Sequence, residues 1–313
     1  MISFYDSHLA PFTIDNQLSF SQQGSSDDGG LWVANIRNAH GTASICLQGA
    51  HLMHWHPAGQ STPVVWLSQA TKLISGKSIR GGVPVCWPWF GAHATEANFP
   101  AHGFARTVPW QVVSSRTLDD GSTEMAFTLQ ASEDYRAQWP HDSQVSLLVN
   151  VGQTLKMALT TRNTDSTAFN ITEALHTYFH ISDIGHIRVT GLDNAAYMDK
   201  AAGGVRGQQT GDITFNQEFD RVYVNSSSPC VIEDAALKRR IHINKIGSQS
   251  TVVWTPWQDK ADKMGDMGAG STAQDGWRKM VCVESANALE NAVTIAAGKS
   301  HTLAVEYSVH NLA

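Results

Sequence analysis

Apolar and polar residues alternate along most of this chain with a period of two. In the segment 42–48, Ala43, Ile45 and Leu47 would lie on one face of a strand and the other four residues on the opposite face. Because successive side chains of an extended strand point to opposite faces, this alternation predicts β-strands. The same alternation recurs at 111–114, 124–129, 144–149, 155–161 and 301–309.

Turn signals rich in Gly, Asp and Asn separate these segments, at 27–30, 119–121 and 163–165. Many short strands between such turns favour a β-sandwich or a barrel. The chain has no Pro- or Ser-rich linker and no detectable internal repeat. The pattern therefore predicts an all-β fold, and we expect one domain that spans residues 1–313.

Three segments depart from the strand pattern. Residues 234–240 look like a short helix, residues 81–104 are dense in Gly, Pro and aromatics, and residues 259–277 are rich in Gly, Asp and Met and predict a long loop. Loops of this length inside a compact domain are usually functional or mobile. Because this loop ends shortly before Glu284, it could cover a site at that residue.

Composition narrows the classes of function. The net charge is −6, from 22 basic and 28 acidic residues spread along the chain, so neither nucleic acid nor an anionic membrane is the expected partner. The first residues show no charged segment followed by an apolar one, and no run of about 18 apolar residues occurs, so we expect neither a signal peptide nor a membrane span. Its four cysteines are widely separated and predict free buried thiols in a reducing compartment. We therefore expect a cytoplasmic protein without a disulfide framework or a zinc site.

Two apolar, strand-like runs each contain one titratable side chain that stands out. His176 lies in the run 175–179, and Glu284 lies in the run 281–285. A charged group in such a run is either paired for structure or kept for function. Strand position alone leaves both alternatives open: a core histidine with a structural carboxylate, or a pair that performs acid/base chemistry.

Two arginines and a histidine are further candidates. Arg80 precedes the glycine pair 81–82, where a guanidinium can reach an anion with little steric hindrance, and its planar fork suits phosphate or carboxylate. His102 and Arg106 lie in the short run 100–106. The alternatives are an arginine that binds backbone carbonyls and a histidine in an ordinary turn.

Aromatic and paired polar residues supply weaker candidates. Trp87 and Trp89 stand among prolines and could offer a flat face to a sugar ring, although most tryptophans belong to a core. Asp220 and its neighbour Arg221 would usually form an exposed pair at a strand edge. The two histidines in 54–56 could share a strand face, but no third metal ligand follows at a useful spacing.

Five collinear motifs closely resemble the glucose-6-phosphate 1-epimerases of the aldose 1-epimerase superfamily. The motifs, which are accompanied by 48–52 near the start of the chain, are 78–91, 100–106, 174–179, 219–223 and 281–284. The resemblance covers nearly the whole chain in order. It implies a large antiparallel β-supersandwich of the galactose mutarotase type, in agreement with the strands expected from the alternation.

The resemblance also implies a chemistry. His176 matches the general acid of the family and Glu284 its general base, for a reaction that interconverts the α and β anomers of a hexose 6-phosphate. Such a reaction needs one acid and one base on opposite sides of the C1–O5 bond, and it requires neither a metal nor a cofactor. We expect Glu284 to be ionised and His176 protonated near neutral pH, because each charge favours the other.

The family match assigns binding roles as well. Arg80 and Arg106 match residues that hold the substrate through its phosphate, and His102 matches a histidine near the reacting carbon. Asp220 matches a carboxylate that binds sugar hydroxyls, and Trp89 matches a sugar contact. We expect a monomer whose partner is a small-molecule sugar phosphate.

Three other functions remain open from the sequence. A free-aldose 1-epimerase of the galactose type would share the acid/base pair but would not need the arginine cluster. A non-catalytic carbohydrate-binding protein would share the sandwich and the aromatics without needing the pair. A glycoside hydrolase or lyase would usually need two carboxylates that flank the bond.

Overall fold

The computed structural model describes residues 8–24, 30–129, 135–267 and 275–312. Within these ranges the chain forms twenty-two β-strands and an α-helix, α1 (Trp257–Met264), so the prediction of an all-β fold is confirmed. The strands are β1 (Leu18–Gln23), β2 (Leu31–Asn38), β3 (Gly41–Cys46), β4 (His51–Pro57), β5 (Val85–Cys86), β6 (Trp110–Thr117), β7 (Thr123–Leu129), β8 (Ser143–Val151), β9 (Leu155–Asn163), β10 (Phe169–Ile171), β11 (Glu173–Leu175), β12 (Tyr178–His180), β13 (Arg188–Thr190), β14 (Ala196–Asp199), β15 (Val205–Gln208), β16 (Phe219–Val224), β17 (Cys230–Asp234), β18 (Arg239–Ile246), β19 (Ser250–Thr255), β20 (Met280–Asn287), β21 (Val293–Ile295) and β22 (Ser300–Asn311). Short 3-10 helices lie at Ala10–Phe12, Ala105–Thr107, Ile184–His186, Gly276–Lys279 and Leu289–Asn291.

Two eight-stranded antiparallel sheets make up most of the fold. The first, here called the site sheet, has the order β15-β14-β16-β19-β20-β11-β5, and β12 also pairs with β20. The second, here called the back sheet, has the order β13-β17-β18-β22-β9-β8-β7-β6. A four-stranded sheet of β1 to β4 and a two-stranded sheet of β10 and β21 complete the described strands.

The two large sheets share a hydrophobic core. Strand β9 buries Leu155, Met157 and Leu159 in alternation with more accessible residues, as expected for a strand with one buried face. Phe179 of β12 packs edge-to-face on Tyr307 of β22, with ring centroids 5.1 Å apart. This contact joins the site sheet to the back sheet directly behind the segment that contains the candidate histidine.

The centre of the site sheet is covered on both faces. All residues of β19 and β20 are buried, as in strands that have neighbours above and below. Burying a polar group costs free energy unless a partner or a function compensates for it. A carboxylate in the middle of β20 therefore needs a partner or a function that compensates for its burial.

Two local predictions were wrong. Residues 234–240 are not helical: 235–238 form a tight turn between β17 and β18, and the Asp234 carboxylate accepts a hydrogen bond from the Leu237 backbone N–H within it (3.0 Å). The predicted loop 259–277 begins inside α1, which ends at Gly265 in the left-handed conformation (φ 72°). Residues 268–274 of that loop lie outside the described residues.

Other expectations have mixed outcomes. All four cysteines are free and buried, as predicted. No helix among the described residues is long and apolar enough to cross a membrane. The single domain over residues 1–313 stays a prediction.

Candidate active site

Strand register places His176 across from Glu284. On one side of the pair Leu175 lies opposite Ser285, and on the other side Tyr178 lies opposite Cys282. Continuing this register through the gap between β11 and β12 brings His176 directly opposite Glu284. The imidazole Nε2 lies 3.3 Å from the carboxylate Oε1.

The strand that contains His176 is interrupted at that residue. The His176 backbone N–H donates to the Pro84 carbonyl (3.0 Å) instead of to β20, and the Thr177 N–H donates back to Leu175 (2.9 Å). The His176 ring stacks on Tyr178, with centroids 5.0 Å apart and planes 11° apart. The interruption and the stacking together fix the direction in which the imidazole points.

Both members of the pair keep an unused polar atom. His176 Nδ1 and Glu284 Oε2 are buried and have no hydrogen-bond partner among the described residues. The Glu284 side chain is only 1% exposed and the His176 side chain 11%. Unpaired polar atoms at such depth are costly, which points to a ligand that supplies the missing partners.

Burial determines the protonation of the pair. It lowers the pKa of His176 well below the usual 6.5, and the nearby Arg106 and Arg80 lower this pKa further. It raises the pKa of Glu284 well above the usual 4.5, and the Asp220 carboxylate adds to that rise. Both shifts favour neutral side chains, the opposite of the charged pair expected from the sequence, because the cost of burying two charges outweighs their attraction.

A cavity of about 370 Å³ opens above the pair. This volume lies within the range of small-ligand sites in proteins. The cavity brings together six of the seven site residues expected from the sequence, namely His176, Glu284, Arg80, His102, Arg106 and Asp220. Its other lining residues are Ser78, Ile79, Pro84, Phe90, Tyr178, Lys200, Val252, Trp254, Lys260 and Met264.

Arg80 is held in place by two neighbours. Its Nε donates to the Asp266 carboxylate (2.9 Å), and its Nη1 donates to the Tyr178 hydroxyl (3.1 Å). Burial alone would lower the pKa of Arg80, but Tyr178 and Asp266 outweigh it and raise the pKa above its usual value. The guanidinium is thus a fixed positive charge in the cavity wall.

Arg106 and His102 form a second part of the wall. Arg106 donates from Nη2 to the Ala101 carbonyl (2.8 Å), while its Nε is buried without a partner among the described residues. His102 Nδ1 accepts a hydrogen bond from the Gly91 N–H (3.3 Å), so Nε2 carries the proton of the neutral ring. Burial first, and then Arg106, lower the pKa of His102 to about 3, so this ring is neutral at physiological pH.

Two lysines that the sequence reasoning missed also line the cavity. Lys260 on α1 is paired with Glu218 (2.6 Å). Lys200, which follows β14, lies over the Phe90 ring with Nζ 4.9 Å from its centroid, and no described residue forms an ion pair with it. Neither lysine belongs to a recognisable motif, so only its position in the folded chain reveals it.

Asp220 lies inside the site sheet, not at an edge. Its strand, β16, is paired with β14 on one side and with β19 on the other. Burial raises the pKa of Asp220, while Lys200 and Lys260 oppose that rise. The neighbouring Arg221 is not an exposed partner either, because it donates to Asp199 (2.8 Å). The expected exposed edge pair is therefore wrong.

Trp89 does not reach the cavity. It is 8% exposed, stacks on Phe99 with centroids 6.0 Å apart, and donates from Nε1 to the Pro100 carbonyl (3.0 Å). Trp87 is buried as well and donates to Thr161 (3.0 Å). The structure thus places Trp89 in the core beside the site and not on the surface that a sugar would touch.

One group of side chains within the described ranges has the composition of a metal site. His176, Cys282 and Glu284 offer ligand atoms that lie within 4.8 Å of one another. The cations Arg80 and Arg106 lie close enough to lower the pKa of His176, and they would also repel a divalent ion. The site therefore favours an anionic ligand over a metal.

A larger groove of about 540 Å³ lies on the outer face of the back sheet. Its lining includes the exposed apolar residues Leu148 and Ile246, and two of its charged residues, Lys156 and Glu306, are paired with each other (3.5 Å). Burial lowers the pKa of a third charged lining residue, Lys245, to about 8, but its ammonium is satisfied by three hydrogen bonds. Because the unpartnered buried atoms of His176 and Glu284 have no counterpart among the described residues that line this groove, the smaller cavity is the candidate active site.

Comparisons with known proteins agree with this geometry. Residues 33–308 match the family model described as aldose 1-epimerase. A protein of Salmonella typhimurium, provisionally named a glucose-6-phosphate 1-epimerase, is 40% identical over 244 residues, which cover 78% of this chain and 79% of that protein.

Solved structures show the same fold. The crystal structure of a provisionally named mutarotase from Salmonella typhimurium superposes with a TM-score of 0.85 at 35% identity and covers 96% of both chains. Galactose 1-epimerase from Lactobacillus acidophilus superposes with a TM-score of 0.70 over 95% of this chain and 99% of that chain, at 13% identity. The second likeness concerns the fold alone, and together they confirm the predicted galactose mutarotase-like supersandwich.

Proposed function

Because this chain belongs to the aldose 1-epimerase family, we propose that it interconverts the α and β anomers of a hexose 6-phosphate, with glucose 6-phosphate as the first candidate. The observation that carries the proposal is the His176–Glu284 contact of 3.3 Å at the base of a cavity lined by cations. The acid/base pair suits the anomeric centre, and the cations suit a phosphate. The proposed mechanism uses only side chains of this protein as catalytic groups.

Each of the two residues exchanges one proton with the substrate and returns to its starting protonation state at the end of the cycle. Glu284 takes the proton of the C1 hydroxyl while His176 gives a proton to the ring oxygen O5, and the C1–O5 bond breaks to leave an open aldehyde. After rotation about C1–C2, Glu284 returns its proton to the aldehyde oxygen and His176 takes back the proton of the O5 hydroxyl as the ring closes. General acid–base catalysis of this kind contributes about 10²–10⁴-fold per group.

The resting state of the pair fits this cycle. Neutral His176 with protonated Glu284 is the form that exists after ring opening, and one proton shift across their 3.3 Å contact gives the form that opens the ring. A bound phosphate dianion would offset the positive charges of Arg80 and Arg106, which lower the pKa of His176 in the free protein. Substrate binding would thus favour the protonated imidazole that the first step needs.

The cationic wall anchors the far end of the substrate. We assign the phosphate to Arg80, Arg106 and Lys200, whose charges converge on the cavity. A grip at the phosphate uses remote binding energy and leaves C1 free to rotate. Neutral His102 is suited to donate from Nε2 to a sugar oxygen, and Asp220 is suited to accept from sugar hydroxyls.

Polarimetry on freshly dissolved α-glucose 6-phosphate tests the proposal. We expect the enzyme to accelerate the approach to the equilibrium rotation, and to act more efficiently on the phosphate ester than on free glucose or galactose. Equal efficiency on free and phosphorylated sugars would favour a free-aldose epimerase. Binding without acceleration would favour a carbohydrate-binding protein, and cleavage of a disaccharide would favour a hydrolase.

We further propose a monomer that works in the cytoplasm. The proposed acid, base and phosphate ligands all belong to one copy of the chain. Four buried free thiols suit a reducing compartment. Light scattering over a wide range of protein concentration would test the monomer, and a stable dimer at all concentrations would exclude it.

A further inference from the structure

Residues 48–52, here called the clamp, comprise part of the turn after β3 and the first two residues of β4, and they contact both loops that carry the cavity arginines. They line no part of the cavity themselves. The sequence singled this segment out as one of the shared motifs, yet the proposed chemistry gives it no role. Its contacts supply one.

His51 holds the loop of Arg80. The imidazole is completely buried, and Nε2 lies 2.8 Å from the carbonyl oxygen of Gly81, the residue after Arg80. Burial lowers the pKa of His51 to about 4, so the neutral ring donates from Nε2 at physiological pH. The fit is tight, because a Cβ added at Gly82 would lie 2.3 Å from His51 Nε2.

Gln48 holds the same loop from its other end. Its side-chain amide donates to the Lys77 carbonyl (2.8 Å), and its amide oxygen accepts from the Gly76 N–H (2.7 Å). The backbone adds a further link, since the Val83 N–H donates to the Leu52 carbonyl (2.8 Å). Arg80 therefore lies in a loop that is fixed to the clamp both before and after it.

Gly49 supports the loop of Arg106. Its N–H donates to the Val108 carbonyl (2.8 Å), and its backbone has a φ of 78°. A Cβ added there would lie 2.7 Å from the Arg106 carbonyl oxygen and 3.1 Å from the Arg106 Cα. Only glycine allows the Arg106 backbone to approach this closely.

We propose that the clamp sets the position of Arg80 relative to Arg106 and so shapes the phosphate subsite, with His51 as its positioning residue. The inference rests on the proposed function, because it concerns the same site. Charge-assisted hydrogen bonds to phosphate require donors at about 2.7–2.9 Å. A displacement of about 1 Å can cost on the order of 10²-fold in a positioned reaction. Loss of the clamp should therefore weaken phosphate binding and leave the chemistry at C1 intact.

Steady-state kinetics of two His51 variants test the clamp. We expect His51→Leu, which cannot donate to Gly81, to raise KM for glucose 6-phosphate about 10-fold or more and to keep kcat within about 3-fold. His51→Gln, which retains a donor, should recover much of the KM. As a matched control, His54→Leu on the same strand should change neither constant.

Two kinetic results would contradict the inference. Unchanged kinetics in His51→Leu would overturn the inference, and so would a loss of kcat as large as the change in KM, because that would indicate a general structural role. If His51→Leu does not fold, Gln48→Met decides by the same criterion, since it removes both hydrogen bonds to the 76–77 turn at similar volume.

Titration calorimetry with inorganic phosphate separates this inference from the proposed function. If wild-type protein binds phosphate and His51→Leu binds it at least about 10-fold more weakly, the proposed role of the clamp is supported even if no anomer exchange is found. If wild type accelerates exchange and His51→Leu binds phosphate equally well, the clamp is wrong and the proposed function is unaffected.

Discussion

The imidazole of His176 faces the carboxylate of Glu284 across an interrupted antiparallel ladder, with Nε2 3.3 Å from Oε1. The strands on either side of the gap keep one register with β20, so the sheet itself determines this distance. The interruption frees the imidazole edge toward the cavity while the strand partners hold its backbone. A rigid sheet therefore positions the two groups that the proposed proton transfers require.

Removing either group should stop catalysis without unfolding the protein. We expect Glu284→Gln and His176→Asn each to lower kcat for anomer exchange by about 10²–10⁴-fold, because each variant keeps the approximate shape and loses a proton carrier. Polarimetry measures the rate, and circular dichroism checks the fold. His180→Asn, on the adjoining strand, is the control and should stay near wild type. A well-folded Glu284→Gln protein with a wild-type rate would remove Glu284 from the mechanism.

The charge state of His176 can be observed directly. Because burial and the nearby arginines hold its pKa well below 6.5, its ring should still be neutral at pH 6.5 in the free protein and gain a proton only at lower pH. Nitrogen NMR of the labelled ring follows this titration. Adding inorganic phosphate should move the transition to higher pH, since the anion offsets the charges of Arg80 and Arg106. A free protein whose His176 is already protonated at pH 6.5 would contradict this account.

Specificity for the phosphate should depend on the cationic wall. Arg80→Ala and Lys200→Met should each lower kcat/KM for glucose 6-phosphate by about 10–100-fold, as expected for the loss of one hydrogen bond to a charged group. The loss for a free hexose should be much smaller. Arg240→Ala, which removes an arginine paired with Glu233 on the back sheet, is the control. Equal losses on both substrates would argue against phosphate binding at these residues.

A second buried pair should make stability depend on pH. Glu173 hydrogen-bonds His301, with Oε1 3.0 Å from Nε2, and this bond raises the pKa of His301 above 6.5 despite partial burial. A raised histidine pKa stabilises the fold fully below pH 6.5, and that contribution is lost as pH rises through the folded-state value. The contribution of this pair to the free energy of unfolding should therefore decline as pH rises above 6.5, whereas His51, His102 and His180, whose pKa values burial lowers, act in the opposite sense.

The variant His301→Gln isolates that contribution. It keeps a donor toward Glu173 but has no titrating charge, so the difference in unfolding free energy between wild type and this variant, measured by urea titration, should shrink as pH rises above 6.5. At pH 6 we expect it to be less stable than wild type by about 1 kcal/mol. An identical pH dependence in both proteins would assign the effect to other groups.

Local patterns identified the strands and the polar residues of the site, and long-range pairing decided how they meet. The apolar, strand-like character of the runs around His176 and Glu284 predicted extended backbone, and both runs contain strands. It could not predict the break at residues 176–177, because that break depends on the Pro84 carbonyl of a distant segment. The family resemblance assigned Trp89 to a sugar contact, whereas the folded chain stacks this ring on Phe99.

Local sequence patterns also failed to predict the charge state of the buried pair and the helix α1. The attraction between His176 and Glu284 suggested an ion pair, but the depth of burial, which no short motif reveals, favours the neutral forms. Lys200 follows β14 in a sequence typical of a surface turn, so only the folded chain places it in the cavity. The helix α1 was missed because the Gly-rich residues after it dominated the composition of the window.

Exchange NMR on the α and β anomers of glucose 6-phosphate at equilibrium tests the central claim most directly. The H1 signals of the two anomers are followed with wild-type protein and with Glu284→Gln. We predict exchange cross-peaks that grow with wild-type concentration and fall to the spontaneous rate with Glu284→Gln. Exchange that stays at the spontaneous rate with well-folded wild-type protein would contradict the account.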